Sequence, residues 1–418
     1  VKVLWVKSEL LHPVDKGGKI RTFEMLRHLM RGHDVTYLCL SSPTDAPDAR
    51  ERASEYCHHL ETVPWSEPKR FSPGFYVELA KNLASPLPYV IQKYKQPEMR
   101  RLIAQADRRG AYDVVVCDFL TPSANVPRKL RAATVLFEHN VETVLWERTY
   151  RNEKNPVKKG YFLGQYLKMR AYEHVLCKRY DAVAAVSEQD ADVIRERFGV
   201  RDVFAVPTGV DFDFFSPMAE DAPGKLPRDA HDLVFTGSMD WMPNEDAILY
   251  FADEILPRIA SRVPDVKVTV VGRNPTPKLQ ALAKREPKIV LTGRVDDVRP
   301  FIDRSAVYIV PIRVGGGTRI KIYEAMGMAR AVVSTTIGAE GLPLENGKEI
   351  VLADDPGCFA DEVVRLMNDD PAREQIERDS RKAVVERFGW DGATKALVRI
   401  MERARDKHAQ THHRKETR

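Results

Sequence analysis

Residues 306–326 read AVYIVPIRVGGGTRIKIYEAM: an apolar β-branched run, a triple glycine, then a stretch with helical spacing. A short strand, a glycine turn and a helix in that order make half of a βαβ unit, the building block of parallel sheets. The same alternation repeats outward from it. DLVFTG (Asp232–Gly237), VKVTVVG (Val266–Gly272) and KIVLTG (Lys288–Gly293) precede it, and AVVST (Ala331–Thr335) follows. The first half carries its own series: KVLWV (Lys2–Val6), HDVTYLCL (His33–Leu40), YDVVVC (Tyr112–Cys117), ATVLFE (Ala133–Glu138) and DAVAAVS (Asp181–Ser187). Between the runs lie helical patterns such as Ile20–Met30, where Ile20, Phe23, Leu26 and Met30 recur at helical spacing. Continuous apolar strands joined by helices predict parallel sheets covered on both faces. The reading is an α/β chain of two doubly wound parallel-sheet domains.

The expected boundaries follow from composition. After VPTGVD (Val206–Asp211) comes an aperiodic Pro-, Asp- and Ala-containing stretch, Ser216–His231, which reads as a linker. This predicts a first domain over 1–210, a second over 211–388, a final helix over 389–407 and a polar, disordered tail over 408–418. A length of 418 residues fits two such domains.

Several classes are excluded. The five cysteines lie far apart with no CxxC pair, against a zinc site or a disulfide framework. Cys39 and Cys117 sit inside apolar runs and read as buried free thiols, which suits a reducing cytoplasm. No run approaches 18 apolar residues, and the chain opens as a strand, unlike a secretion signal. The net charge of +5 is uneven: residues 1–200 hold 32 Lys+Arg against 25 Asp+Glu, the remainder 33 against 35. Glu147–Tyr180 alone has nine basic and three acidic residues. So local an excess fits either a solvated helix surface or a face meeting anionic partners, and not a nucleic-acid-binding protein.

In open parallel sheets ligands bind at the carboxyl ends of strands. In the second half those positions read Gly237-Ser238-Met239-Asp240, Gly272-Arg273 and Gly293-Arg294-Val295, three strands ending in glycine. Glycine there permits close backbone approach or a tight turn. Gly315-Gly316-Gly317 leads into a helix expected to open at Thr318, whose free N–H groups suit an anion such as a pyrophosphate. Arg319 and Lys321 add charge where a leaving phosphate becomes negative, and the Glu324 carboxylate suits a ribose diol. The same three residues also fit a solvated helix face. In the first half, Gly17-Gly18 opens a helix after the first strand, forming a second glycine loop. It is not GxGxxG, and no GxxxxGK[ST] occurs anywhere, so NAD and ATP sites lose support. His139, after ATVLFE, and Asp118, after VVVC, occupy the ligand edge of the first sheet.

Together these residues resemble family-4-type glycosyltransferases with two Rossmann-like domains (GT-B), over roughly residues 1–400. The resemblance rests on Gly17-Gly18, His139-Asn140-Val141-Glu142, Val206–Asp211, Phe235–Asp240, Val271–Arg273 and Thr292–Arg294, and on the GGGTRIKIYEAMG of Gly315–Gly327, which marks a GGGTR(I/L)K…EAM subgroup. Phe388-Gly389-Trp390 resembles the start of a helix that crosses back onto the N-terminal lobe.

The resemblance implies transfer of a sugar from a nucleotide-sugar to an acceptor hydroxyl, with retention, across a cleft between the domains. It implies no metal and no cofactor beyond the nucleotide-sugar co-substrate. Glu324 matches the second glutamate of the family's paired motif, which holds the ribose. Gly317 and Thr318 match backbone near the donor phosphates, and Arg294 and Val295 the loop beside the nucleobase. Gly17 and Gly18 match the loop over phosphate and sugar, and His139 a histidine near the transferred sugar. Gly237, Ser238, Gly272 and Arg273 complete the donor edge. The chain departs from the pattern at Gly316, where the first glutamate falls, and at Ser238 and Asn244, near the usual arginine and lysine. The expectation is that Arg319 and Lys321 replace that charge, giving His139, Arg319 and Glu324 as the catalytic set. An inverting reaction would instead make His139 or Asp118 the base.

The acceptor is expected to be a glycan or lipid-linked sugar on the first domain, in polysaccharide or glycolipid synthesis. Two stretches are candidates for anionic lipid at the inner membrane face: Arg151–Tyr180, with Lys158, Lys159, Tyr161, Phe162, Tyr166, Lys168 and Arg170, and Pro68–Tyr94, with Lys69, Arg70, Phe71, Phe75, Tyr76 and Tyr89. Their aromatics equally fit a core. A non-catalytic nucleotide-sugar-binding protein and a nucleotide-sugar epimerase are the other readings on this fold.

Overall fold

A computed structural model describes residues 1–15, 17–68, 72–315 and 319–416. The chain forms two units: Val1–Pro207 with the chain beyond Ala393, and Thr208–Gly392.

The first unit is built on seven parallel strands: β1 (Lys2–Lys7), β2 (Asp34–Ser41), β3 (His59–Pro64), β4 (Val114–Asp118), β5 (Ala133–Glu138), β6 (Ala182–Ala185) and β7 (Val203–Ala205). They lie in the order β3-β2-β1-β4-β5-β6-β7. Val3, Leu4, Trp5 and Val6 are all buried, as expected of a strand covered on both faces. The chain winds outward from β1 through β2 to β3, then returns to β4 beside β1. That reversal opens a crevice at the carboxyl ends of β1 and β4, where such sheets take ligands.

The second unit repeats the plan with six strands: β8 (Asp232–Thr236), β9 (Lys267–Val271), β10 (Ile289–Gly293), β11 (Val307–Val310), β12 (Ala331–Ser334) and β13 (Val351–Leu352). Their order is β10-β9-β8-β11-β12-β13, with the reversal between β8 and β11. All neighbouring strands are parallel.

Two expectations are corrected. Ser216–His231 is not a free linker. Arg228 pairs with Glu377 at 2.7 Å, Lys225 with Asp303 at 3.4 Å, and Asp229 with Arg304 at 3.1 Å, all inside the second unit. The break falls earlier, at Pro207/Thr208, because Val210 bonds the Phe388 carbonyl at 2.8 Å and pairs with Gly389. The polar tail is not wholly disordered either, since the last helix runs Trp390–Glu416. Its polar residues have acidic partners in the first unit: Lys407 meets Asp202 at 2.5 Å, and the His408 ring Asp181 at 3.1 Å.

Candidate functional site

In the first unit the site begins at Lys7, the last residue of β1 and 1% exposed. An ammonium so deeply buried needs an anion. Asp118, ending the adjacent β4, supplies it at 2.7 Å. Asp118 Oδ2 also accepts from Trp5 Nε1 at 2.9 Å and from the Thr22 hydroxyl at 2.6 Å, while Lys7 donates to Thr22 at 2.8 Å. The other oxygen, Oδ1, stands 2.7 Å from His139 Nε2, one residue beyond β5.

The charges divide between these groups. Burial acts to raise the Asp118 pKa, but Lys7 and His139 outweigh it and hold the carboxyl well below the usual range. Burial pulls the His139 pKa down to about 4 against the attraction of Asp118. At neutral pH the site therefore holds an ionised Asp118 and a neutral imidazole. Nε2 faces the carboxylate at ion-pair distance without the alignment of a hydrogen bond.

Phe119 fixes the ring from the side. It stacks on His139 with centroids 3.8 Å apart, and Lys7 lies 4.2 Å from its centre. Its backbone is left-handed, at φ 70°. A Cβ on Gly18 would come within 2.8 Å of the Phe119 ring, so glycine lets the first turn of the helix Gly17–Leu29 lie against it. The segment after His139 is anchored as well. Glu173, from the helix Pro156–Arg179, accepts from the N–H groups of Glu142 and Thr143 at 2.8 and 2.7 Å, capping the helix Glu142–Asn152.

The second unit's edge is made largely of backbone. A Cβ on Gly272 would overlap the Gly237 carbonyl at 1.7 Å, and one on Gly237 would meet Asn244 Nδ2 at 2.7 Å and Lys321 Nζ at 2.8 Å. Gly237 lies at φ 151°, so both strand ends require glycine. Beneath them Lys321 donates to Asn244 Oδ1 at 3.1 Å and sits 4.0 Å from the Phe235 ring centre. Asn244 donates to the Ser238 carbonyl at 2.8 Å, and Arg273 Nε to the Ser238 hydroxyl at 3.1 Å. Burial pulls Lys321 down to about 7, helped by Arg319 and opposed by Glu324. Burial pushes Glu324 up to about 7, opposed by Lys321. This pocket lowers the cost of charge only when an anion arrives.

A family model described as Glycosyltransferase Family 4 matches residues 16–214, and one described as Glycosyl transferases group 1 matches residues 230–369. The chain is a family-4-like group 1 glycosyltransferase. It is 21% identical over 403 residues to an uncharacterized 44.6 kDa protein in the cps region of Klebsiella pneumoniae, covering 93% of this chain and 96% of that one. It is 30% identical over 210 residues to the phosphatidyl-myo-inositol mannosyltransferase of Mycobacterium tuberculosis, covering 48% of this chain and 54% of that enzyme. That match spans about half of the mannosyltransferase's length. The solved structure of Anabaena HepE, in complex with UDP and glucose, matches with a TM-score of 0.66 at 12% identity, covering 96% of this chain and 99% of that one. At that identity the likeness is one of fold.

The glycosyltransferase thus gathers Gly18, Asp118 and His139 on one sheet edge, with Gly17 exposed at the helix start. On the other edge it gathers Gly237, Ser238, Gly272, Arg273 and Lys321, with Glu324 one helical turn beyond Lys321. The helix begins at Ile320, later than the expected Thr318. Arg319 precedes it, is buried, and lies 5.1 Å from the Trp241 ring centre, so it is not on a solvated helix face. Arg294 is exposed after β10, and Val295 packs against the core. Gly316, Gly317 and Thr318 lie outside the described residues, as do Lys69, Arg70 and Phe71.

Sequence reasoning missed Lys7, Thr22 and Phe119. A lysine closing an otherwise apolar strand was the available signal for Lys7. Nothing in the local pattern marked the other two.

Proposed function

We propose that this glycosyltransferase moves a sugar from a nucleoside-diphosphate sugar to an acceptor hydroxyl, with retention and without a metal, in the synthesis of a polysaccharide or glycolipid. The observation that carries the reading is the side-chain-free floor at Gly237 and Gly272, with the Lys321 ammonium beneath it. Such a floor admits a diphosphate to the backbone, and Lys321, Arg319 and Arg273 carry the positive charge it needs. The UDP and glucose of HepE and the mannosyl transfer named for the mycobacterial relative support the same donor class. Glu324 is the group for the ribose hydroxyls.

Retention is favoured by the poor quality of the available bases. A histidine with a pKa of about 4 is badly matched to taking a proton from an alcohol at neutral pH. The Asp118 carboxylate is committed to four neighbours. On the proposed route the anomeric carbon–phosphate oxygen bond breaks and the acceptor oxygen bonds to that carbon from the same face. The acceptor proton passes to the departing phosphate oxygen. His139, neutral and held beside Asp118 and under the Phe119 ring, positions the transferred sugar. The acceptor is a glycan or a lipid-linked sugar.

Thermal-shift titration with UDP-, GDP-, ADP- and TDP-sugars tests donor binding, which raises Tm with the logarithm of ligand excess. Product analysis with and without EDTA then tests transfer, anomeric outcome and metal independence. Tight donor binding without turnover would make this a binding protein. Release of a rearranged nucleotide-sugar without acceptor would make it an epimerase. Unchanged turnover in Arg319→Ala would remove that residue from the mechanism.

A further inference from the structure

The loop from β8 to the next helix, Met242–Tyr250, carries the one exposed tryptophan of the chain's five. Trp241 is 43% exposed, and Met242 beside it is 62% exposed. The exposure does not come from a loose loop. Ser238 Oγ donates to Asp240 Oδ1 at 2.6 Å, Asn274 Nδ2 to Asp240 Oδ2 at 3.0 Å, and the Met239 N–H to the Arg273 carbonyl at 2.9 Å. The Trp241 N–H donates to the Ser238 carbonyl at 3.3 Å, and its own carbonyl accepts from the Asn244 N–H at 2.9 Å.

The helix does not call for an indole either. Trp241 stands at the N-cap with the extended backbone of that position, φ −90° and ψ 120°, and its side chain makes no cap hydrogen bond. Ser, Thr, Asp and Asn are the residues favoured there. A local preference set aside in a well-held loop points to a use for the side chain.

The position bears on that use. Asn244, three residues on, holds Lys321 beneath the Gly237 floor. The Arg319 guanidinium lies 5.1 Å from the indole centre. A Cβ on Gly315 would meet Arg319 Nη2 at 2.9 Å and Pro243 Cγ at 3.1 Å, so backbone packs directly on this corner. Strand order puts the corner at one end of the donor edge. β10, followed by Arg294 and Val295, stands two strands from β8, about 10 Å away at the usual spacing. Gly272 and Gly237 follow β9 and β8 in turn. A nucleobase beside β10 and a diphosphate over Gly272 and Gly237 leave the next group of the donor beside Trp241.

We propose that Trp241 is the stacking platform for the pyranose ring of the donor, whose C–H face lies on the indole while its hydroxyls stay at the rim. The negative π face of an indole attracts the polarised C–H groups of a sugar and covers apolar area on both. Arg319, drawn to the same ring, keeps it from turning. This role rests on the donor reading above and adds to it the residue that recognises the sugar.

Calorimetry with UDP and UDP-glucose, and with GDP and GDP-mannose, separates sugar contacts from nucleotide contacts. Trp241→Ala should weaken the nucleotide-sugar that binds wild type about ten-fold and leave its free nucleoside diphosphate unchanged. Trp241→Phe keeps an aromatic face and should recover most of the affinity. Trp241→Ser installs a favoured N-cap and should not lower Tm, so its loss of sugar binding cannot be a loss of fold. Equal weakening of diphosphate and nucleotide-sugar would overturn the proposal and leave the donor reading standing, because the indole would then hold the nucleotide. Nucleotide-sugar affinity that survives Trp241→Ala would overturn it too. If none of the four ligands binds wild type, the donor reading fails and the platform fails with it.

Discussion

His139 Nε2 lies 2.7 Å from Asp118 Oδ1, and Lys7 Nζ lies 2.7 Å from Oδ2 of the same carboxylate. One buried anion from the end of β4 thus holds a cation from the end of β1 and a neutral ring from beyond β5. Mutation separates what this anion contributes to stability from what it is proposed to contribute to turnover.

Asp118→Ala leaves Lys7 charged and unpaired in the core. The expected loss is about 3–5 kcal/mol, read from urea unfolding, together with loss of turnover. Replacing both charges, as Lys7→Met/Asp118→Leu, should restore most of the stability without restoring turnover, since His139 still lacks its anchor. Turnover near wild type in the double variant would show that Asp118 does not act through His139.

Binding of UDP should draw a proton onto Lys321. Burial holds its pKa at about 7, and a neighbouring diphosphate favours the charged form. Calorimetry at pH 8, in buffers of different ionisation enthalpy, should therefore show net proton uptake. Lys321→Arg should bind without it, because an arginine stays charged throughout. Equal uptake in the two proteins would place the diphosphate away from Lys321.

Gly272→Ala should damage the second unit far more than a surface glycine replacement. Its Cβ would fall 1.7 Å from the Gly237 carbonyl, so backbone must move. The expected cost is about 2–4 kcal/mol with loss of donor binding. Gly392→Ala is the control, because its Cβ meets nothing within 4 Å.

Glu138→Gln should stabilise the protein at alkaline pH. Burial, then the nearby Glu173 charge, push the Glu138 pKa well above the usual range. A carboxyl whose folded pKa is raised contributes fully below its unfolded value, and that contribution is lost as pH rises toward the folded value. Glutamine has no such dependence. The variant should match wild type near pH 5 and exceed it at pH 8 by about 1–3 kcal/mol, measured by chemical unfolding. Parallel stability curves would show that Glu138 is not the source of the dependence.

Much of the fold was readable in one dimension. The strands β1, β2, β4 to β6 and β8 to β12 each carry an apolar run, and the glycines at 237, 272, 293 and 315 follow such runs; β3, HLETVP, is polar at alternate positions, and β7 and β13 are too short to stand out. Such signals are local, because a strand covered on both faces must be apolar at every position. The carboxyl ends of those strands were readable for the same reason, and with them the positions of Gly18, Asp118, His139 and Lys321 in the fold. The Ser216–His231 stretch and the chain end misled because ion pairs leave no periodicity: Arg228, Lys407 and His408 look solvated until Glu377, Asp202 and Asp181 are beside them.

The amino-acid sequence by itself determined two parallel sheets, their order along the chain and the loops that follow their strands. Tertiary structure alone decided that Lys7, Thr22, Asp118 and His139 share one buried network and that Asn244 meets Lys321. Those partners come from strands and helices far apart in sequence, and strand order brings them together. Their charges are set by burial and by neighbours across space, which no linear pattern encodes.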